Sequence, residues 1–432
     1  MTRFEPAGPL RGTLRPPADK SISHRAALFG AMSDMPVAIR NYLYSDDTLA
    51  TLDALRAIGA GVELQPGELV IRGVGLRQPL TTTNERLDVG NSGTLMRLLP
   101  GWLAGQPGGR WTLDGDDSIR RRPVDRIAEP LRAMGAGVET AEGGRPPFTV
   151  EGAELEGIDY VSPVASGQVK SCVLIAGLLA AGSTSFTEPS QSRDHTERIL
   201  LRSRVPFERD GLTVRVSQTD ELELDDVVVP GDPSSAAFFV AAAAIVPGSR
   251  IVIEGVGLNW TRTAFFRIAE RMGAVVVGDL EAPGTVIGEE PVGELDVAQA
   301  PLAGTVVEPD EVPLAIDELP LVALLGVFAE GETVIRGAQE LRVKESDRLG
   351  GVVDGLRALG AEIEATEDGL VVQGTGTLRG GAFDSHGDHR MAMLGAVAGI
   401  ASQEGADVEG MAAASVSYPA FEDDLRRLFA DS

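Results

Sequence analysis

Leu55-Arg56-Ala57-Ile58-Gly59-Ala60 recurs as Leu131-Arg132-Ala133-Met134-Gly135-Ala136 and as Leu356-Arg357-Ala358-Leu359-Gly360-Ala361, and Ala269-Glu270-Arg271-Met272-Gly273-Ala274 is a fourth copy. Each copy ends a helical pattern on Gly, the residue suited to a left-handed cap. Alternating apolar and polar residues follow, as in Val62-Glu63-Leu64, then a turn and a second short strand such as Leu69-Val70-Ile71 or Leu370-Val371-Val372. Two degenerate copies, Leu201-Arg202-Ser203-Arg204-Val205 and Leu425-Arg426-Arg427-Leu428-Phe429-Ala430, bring the count to six. Taking Gly59, Gly135, Val205, Gly273, Gly360 and Phe429 as equivalent, the steps are 76, 70, 68, 87 and 69 residues. Such periods also occur in solenoids, but these copies are longer than most solenoid units.

The sixth copy ends the chain before its strands can form, while Thr2 to Arg15 reads as an extended piece with no helix before it. The N-terminal segment is therefore expected to complete the last unit, so that one domain is discontinuous and the other is inserted in it. Three units per domain place the crossings near Pro16 to Ala18 and near Pro230-Gly231-Asp232-Pro233, a breaker cluster before the helical run Ser235 to Ile245. The expected division is 1–17 with 230–432, and 18–229 inserted. Two domains of about 200 residues each also suit the chain's length.

The composition, 38 basic and 64 acidic side chains in 432 residues for a net charge of −26, disfavours nucleic acid or an anionic membrane as partner. No leader-like apolar segment opens the chain and no apolar run approaches the roughly 20 residues of a spanning helix, so a cytoplasmic protein is expected. Cys172, the one cysteine, lies in the apolar run Ser171 to Ala181 and is expected to be buried.

Against that acidic background, Asp19-Lys20-Ser21-Ile22-Ser23-His24-Arg25 stands at the mouth of a helix after Pro16 and Pro17, next to the first domain crossing and hence at the expected hinge. Helix-start amides, a lysine, two hydroxyls and an arginine together suit a phosphate or carboxylate; a capped helix with solvated charges is the plainer reading. Asn91-Ser92-Gly93-Thr94 forms a strand-to-helix turn, and Arg120-Arg121-Arg122 precedes Pro123. Ser166-Gly167-Gln168-Val169-Lys170-Ser171 opens an apolar helix, and Arg193-Asp194-His195-Thr196-Glu197 precedes another. Asp317 stands before Pro320 and the run Leu321 to Phe328. Arg342 to Leu349 reads as helix, with Lys344 and Arg348 one turn apart on one face and Glu345 beside them. His386-Gly387-Asp388-His389-Arg390 precedes an apolar helix from Met391, and its His-Asp-His grouping has no further matched ligands, so no metal and no cofactor is expected.

Taken together and in this order, these stretches resemble the 5-enolpyruvylshikimate-3-phosphate synthases, over the whole chain. The resemblance implies the enolpyruvyl transferase fold: α/β (α+β), two domains, each of three repeated β-α-β-α-β-β units around a cleft. It implies transfer of the enolpyruvyl group of phosphoenolpyruvate to the 5-hydroxyl of shikimate 3-phosphate, in chorismate and aromatic amino-acid biosynthesis; because the ligand groups come from both halves, the domains are expected to close on the substrate, and a monomer is expected. By the resemblance Lys20, Ser21, Arg25, Ser166, Gln168, Arg193, Asp317 and Lys344 hold shikimate 3-phosphate. Lys20, Gly93, Arg122, Gln168, Glu345, Arg348 and Arg390 hold phosphoenolpyruvate, and glyphosate occupies the same place. Asp317 is the implied base, and Glu345 with Lys20 or Lys344 the implied acids.

Two positions depart from the pattern. Gly167 replaces the Ala usual in the similar subgroup, and Val416 stands where another subgroup carries a lysine. The sister transferases acting on UDP-N-acetylglucosamine place a cysteine in the loop before the Arg-Pro pair, and Asp114 to Arg122 has none. A relative that binds without catalysis would be expected to lack Asp317 or Glu345, and both are present.

Overall fold

Where the repeated hexapeptide ends, the backbone turns left-handed: φ is 110° at Gly59, 109° at Gly135, 108° at Gly273 and 101° at Gly360. In every case the next amide reaches back five residues, Ala60 to the Leu55 carbonyl, Ala136 to Leu131, Ala274 to Ala269 and Ala361 to Leu356. This double-back satisfies carbonyls that the helix end leaves open, and a side chain in that conformation costs about 1–2 kcal/mol, which is why glycine recurs. The third copy corrects the sequence alignment by one residue. Arg204, with φ of 56°, occupies the left-handed position and Val205 N–H reaches the Leu200 carbonyl. Arg204, not Val205, is thus the equivalent of Gly59, and its side chain pairs with Glu223 and Asp225 at the surface.

The computed structural model describes residues 1–82 and 85–430. It divides into two compact units, Met1–Pro17 with Pro230–Thr285 and Pro291–Ser432, and Ala18–Val229 with Val286–Glu290. Val286–Glu290, which by sequence belongs to the loop between strands Val275–Val277 and Val292–Ala298, thus groups with the other unit.

The unit Ala18–Val229 contains three four-stranded sheets of one design. In the first, Val37–Arg40 pairs parallel with Val227–Val228 on one side and antiparallel with Glu68–Arg72 on the other, and Gly61–Gln65 closes the hairpin. Arg110–Asp114 and Ser183–Thr187 stand at the same place in the other two sheets. Since the parallel edge of the first sheet comes from the last strand of the unit, the three units close in a cycle. The other unit repeats the design twice, with Arg11–Leu14 as the parallel edge beside Arg250–Gly257. In the sheet of the last repeat no hairpin follows among the described residues, and Thr2–Phe4 takes the antiparallel place, Thr2 opposite Val408 and Phe4 opposite Ala406.

Each sheet design brings one nearly wholly buried helix into the core of its unit: Lys20–Met32, Gly93–Ala104 and Gly167–Leu179 in one, Pro233–Ile245, Leu319–Phe328 and His389–Ala401 in the other. An interior helix cannot expose a polar face, so its polar groups gather at its start, here Asp19, Ser92, Ser166, Asp232, Glu318 and Asp388. Among the described residues no helix is long and apolar enough to cross a membrane.

Candidate active site

The candidate side chains sit at these helix starts and in the loops beside them, one set in each unit. In the Ala18–Val229 unit Asp19 caps helix Lys20–Met32, accepting from Ile22 N–H at 2.8 Å. Lys20 Nζ lies 3.0 Å from Asp47 Oδ2, a carboxylate almost closed to solvent. The Arg25 guanidinium is buried and donates to Thr196 Oγ1 at 2.9 Å, Ser171 Oγ at 2.8 Å and the Ser21 carbonyl at 3.1 Å. Arg193 Nη1 reaches Ser21 Oγ at 3.5 Å. Ser166 caps helix Gly167–Leu179. A Cβ at Gly167 would stand 3.2 Å from the Arg193 carbonyl oxygen, a crowded place for the alanine of the similar subgroup.

Gly93 begins the next interior helix, with Ser92 as its cap. Arg97 Nη1 donates to the Gly93 carbonyl and to Gln168 Oε1, both at 3.1 Å, and Gln168 Nε2 donates to Thr94 Oγ1. Arg122 Nη2 donates to Ser118 Oγ at 3.1 Å and Asn91 Oδ1 at 3.3 Å. Gly93 and Gln168 are therefore drawn together by Arg97, which sequence reasoning passed over because its partner Gln168 lies 71 positions away. Its one signal was a cation inside a helix that is otherwise apolar.

His24, also unassigned from sequence, links three elements: Nδ1 is 2.6 Å from Thr51 Oγ1 and Nε2 3.5 Å from Ser92 Oγ. Burial, then the charges of Lys20 and Arg25, hold its pKa well below the ordinary value, so the ring is neutral near pH 7.

The residues Arg193 to Glu197 each hold a different part of the same unit. Thr196 anchors Arg25, and Asp194 forms a two-point pair with Arg198 at 3.0 and 3.1 Å. Glu197 meets Lys170 at 2.7 Å, and Glu188 meets the same ammonium at 3.1 Å. Burial opposes the Lys170 charge, but the two carboxylates outweigh it and raise its pKa. Cys172 is buried as expected, and burial pushes its thiol up, away from nucleophilic character.

In the other unit, Asp317 precedes helix Leu319–Phe328 and meets three cations: Arg348 Nη1 at 3.1 Å and Lys344 Nζ at 3.4 Å on Oδ1, Arg390 Nη2 at 3.8 Å on Oδ2. The expected single helix through Lys344 and Arg348 is not formed. Gln339–Val343 is a 3-10 turn, and Asp347 accepts from Gly350 N–H and starts a new helix, Arg348–Ala358. Lys344 and Glu345 thus lie in the loop between, yet Lys344 still meets Arg348 at Asp317. Arg348 is 1% exposed and bridges Asp388 at 2.8 Å, Glu345 and Asp317; burial opposes its charge, and the three carboxylates more than restore it.

Asp388 also caps helix His389–Ala401, accepting from Arg390 N–H. His386 pairs with Asp384 and His389 with Ser417, so the His-Asp-His grouping is split among separate partners. Among the described residues no group of three or more His, Cys, Asp or Glu is placed for a metal ion. Glu318, Ser234 and Arg262 form a further buried chain: Arg390 Nη1 lies 3.4 Å from Glu318, Ser234 bonds to the same carboxylate, and Arg262 donates to Ser234 at 2.9 Å. Val416 closes the 3-10 turn Met411–Val416.

Six repeated units with cations, amides and carboxylates at the starts of their interior helices define an enolpyruvyl transferase fold. The family model of EPSP synthase (3-phosphoshikimate 1-carboxyvinyltransferase) matches residues 4–425, and the chain belongs to that family. It is 47% identical to the 3-phosphoshikimate 1-carboxyvinyltransferase of Bacillus subtilis over 422 residues, 97% of each chain. It is also 47% identical to that of Thermus thermophilus over 433 residues, 100% of this chain and 99% of the other. A solved EPSP synthase from Acinetobacter baumannii superposes with a TM-score of 0.86 at 40% identity, covering 99% of this chain and 98% of that one.

Proposed function

We propose that the chain transfers the enolpyruvyl group of phosphoenolpyruvate to the 5-hydroxyl of shikimate 3-phosphate and releases inorganic phosphate, in chorismate and aromatic amino-acid biosynthesis. The observation that carries the reading is the meeting of three separate stretches at Arg25, which bonds to Thr196 and Ser171 while Arg193 reaches Ser21. Cations and hydroxyls so arranged suit a phosphate ester. In this reading Lys20, Ser21, Arg25, Ser166, Gln168 and Arg193, with Asp317 and Lys344, hold shikimate 3-phosphate. Lys20, Gly93, Arg122, Gln168, Glu345, Arg348 and Arg390 hold phosphoenolpyruvate.

The 5-hydroxyl gives its proton to Asp317 as its oxygen bonds to C2 of phosphoenolpyruvate, and C3 takes a proton from Glu345 or from Lys20 or Lys344. The resulting tetrahedral intermediate loses a C3 proton and expels phosphate, which restores the double bond in the product. Lys20, Arg122, Arg348 and Arg390 stabilise the leaving charge, so the chemistry needs no metal and no other cofactor. We place the enzyme in the cytoplasm as a monomer acting on small molecules. Phosphate release with phosphoenolpyruvate and either shikimate 3-phosphate or UDP-N-acetylglucosamine tests the reading. Release with the first acceptor alone is expected; release with the second alone would refute it.

A further inference from the structure

Helix His195–Arg202 is held on two sides. Thr196 Oγ1 bonds to Arg25 at 2.9 Å and to Ser171 Oγ at 2.6 Å, and Arg193, just before the helix, reaches Ser21. The opposite stripe, His195, Arg198 and Arg202, spaced as one helix face requires, meets the segment Val286–Glu290. His195 Nδ1 stands 2.6 Å from Glu290 Oε1, Arg198 Nη1 donates to the Glu289 carbonyl at 2.8 Å, and Arg202 lies 3.6 Å from the Glu289 carboxylate. His195 and Arg198 are buried, whereas Glu290 keeps 16% of its side chain exposed. Burial opposes ionisation of Glu290, but the attraction of His195 prevails and holds the carboxyl below its usual range.

We propose that Glu290 is a positioning residue for the phosphate end of the acceptor. It fixes His195 at the first turn of the helix, and with it the neighbouring Thr196 and Arg193 that set Arg25 and Ser21. A side chain displaced by about 1 Å at a binding site loses most of a charged hydrogen bond. The inference rests on the assignment of Ser21, Arg25 and Arg193 to shikimate 3-phosphate under the proposed function.

The test compares full-length wild type with Glu290→Ala and Glu290→Gln, measuring kcat, the KM for each substrate and amide hydrogen exchange across residues 195–202. Glu290→Ala is expected to raise the KM for shikimate 3-phosphate about tenfold with the KM for phosphoenolpyruvate within about twofold, and to speed exchange in the helix. Glu290→Gln keeps an acceptor oxygen for His195 and is expected to restore most of the loss. Faster exchange with both KM values unchanged, or equal rises in both, would overturn the proposal. Glu290→Ser supplies the same truncation should the alanine variant not express, and loss of fold in both would assign Glu290 to the fold instead. Wild type that does not turn over shikimate 3-phosphate would refute the function itself, so the two failures are distinct.

Discussion

A methyl group at position 93 would stand 2.6 Å from Arg122 Nη1 and 2.9 Å from Arg97 Nη1. Ordinary contact begins near 3.5 Å, so in Gly93→Ala both guanidinium groups must retreat by somewhat under about 1 Å. Neither is a loose chain end. Arg122 is buried against Asn91 and Ser118, and Arg97 is fixed by the Gly93 carbonyl and Gln168. Spoiling one charged hydrogen bond costs about 1.5–3 kcal/mol, so the KM for phosphoenolpyruvate is expected to rise about ten- to a hundredfold. Glyphosate, taken by family resemblance to lie in the same place and longer than the substrate, also meets the methyl group itself. Overpacking adds about 1–3 kcal/mol, so its inhibition constant is expected to rise about tenfold further. Steady-state rates with phosphoenolpyruvate varied at several glyphosate concentrations give both constants for both proteins. Equal changes in the two would refute the placement of the Asn91–Thr94 turn against phosphoenolpyruvate.

Asp317→Ala removes the proposed base and is expected to lower kcat about a hundredfold or more with phosphoenolpyruvate affinity largely kept; near-normal turnover would remove Asp317 from the mechanism. His24 is buried neutral, while the unfolded chain binds a proton there below about pH 6.5. The folded pKa is the lower one, so the stability His24 contributes is present above that pH and lost as pH falls, by up to about 1.4 kcal/mol per pH unit. Denaturant midpoints between pH 7 and 5.5 should therefore fall more steeply in wild type than in His24→Asn, and parallel curves would contradict a neutral His24.

The repeated hexapeptide was legible because a left-handed helix end leaves few choices besides glycine. Arg204 shifted the third copy by one residue because nothing in a sequence marks an arginine as left-handed. The helix starts were legible too, since Asp19, Ser92, Ser166 and Asp388 precede apolar runs. At Asp347 the same signal was overlooked: charged neighbours on both sides made Arg342 to Leu349 look like one continuous helix. What pattern could not show is which polar side chains meet across distance. Arg97 with Gln168, His24 with Ser92, and Ser234 with Glu318 are contacts between repeats, and His24 with Thr51 joins two helices of one repeat; all are fixed by tertiary packing and invisible to local spacing. The attachment of Glu290 to His195 is of the same kind, across 95 positions.

The enolpyruvyl transfer itself is tested most directly by following the reaction in heavy water with phosphorus and proton nuclear magnetic resonance. The account predicts that inorganic phosphate appears one for one with loss of shikimate 3-phosphate, and that the new enol ether carries deuterium at its vinyl carbon, because C3 is protonated and then deprotonated. Phosphate released without consumption of shikimate 3-phosphate, or an enol ether free of deuterium, would contradict it.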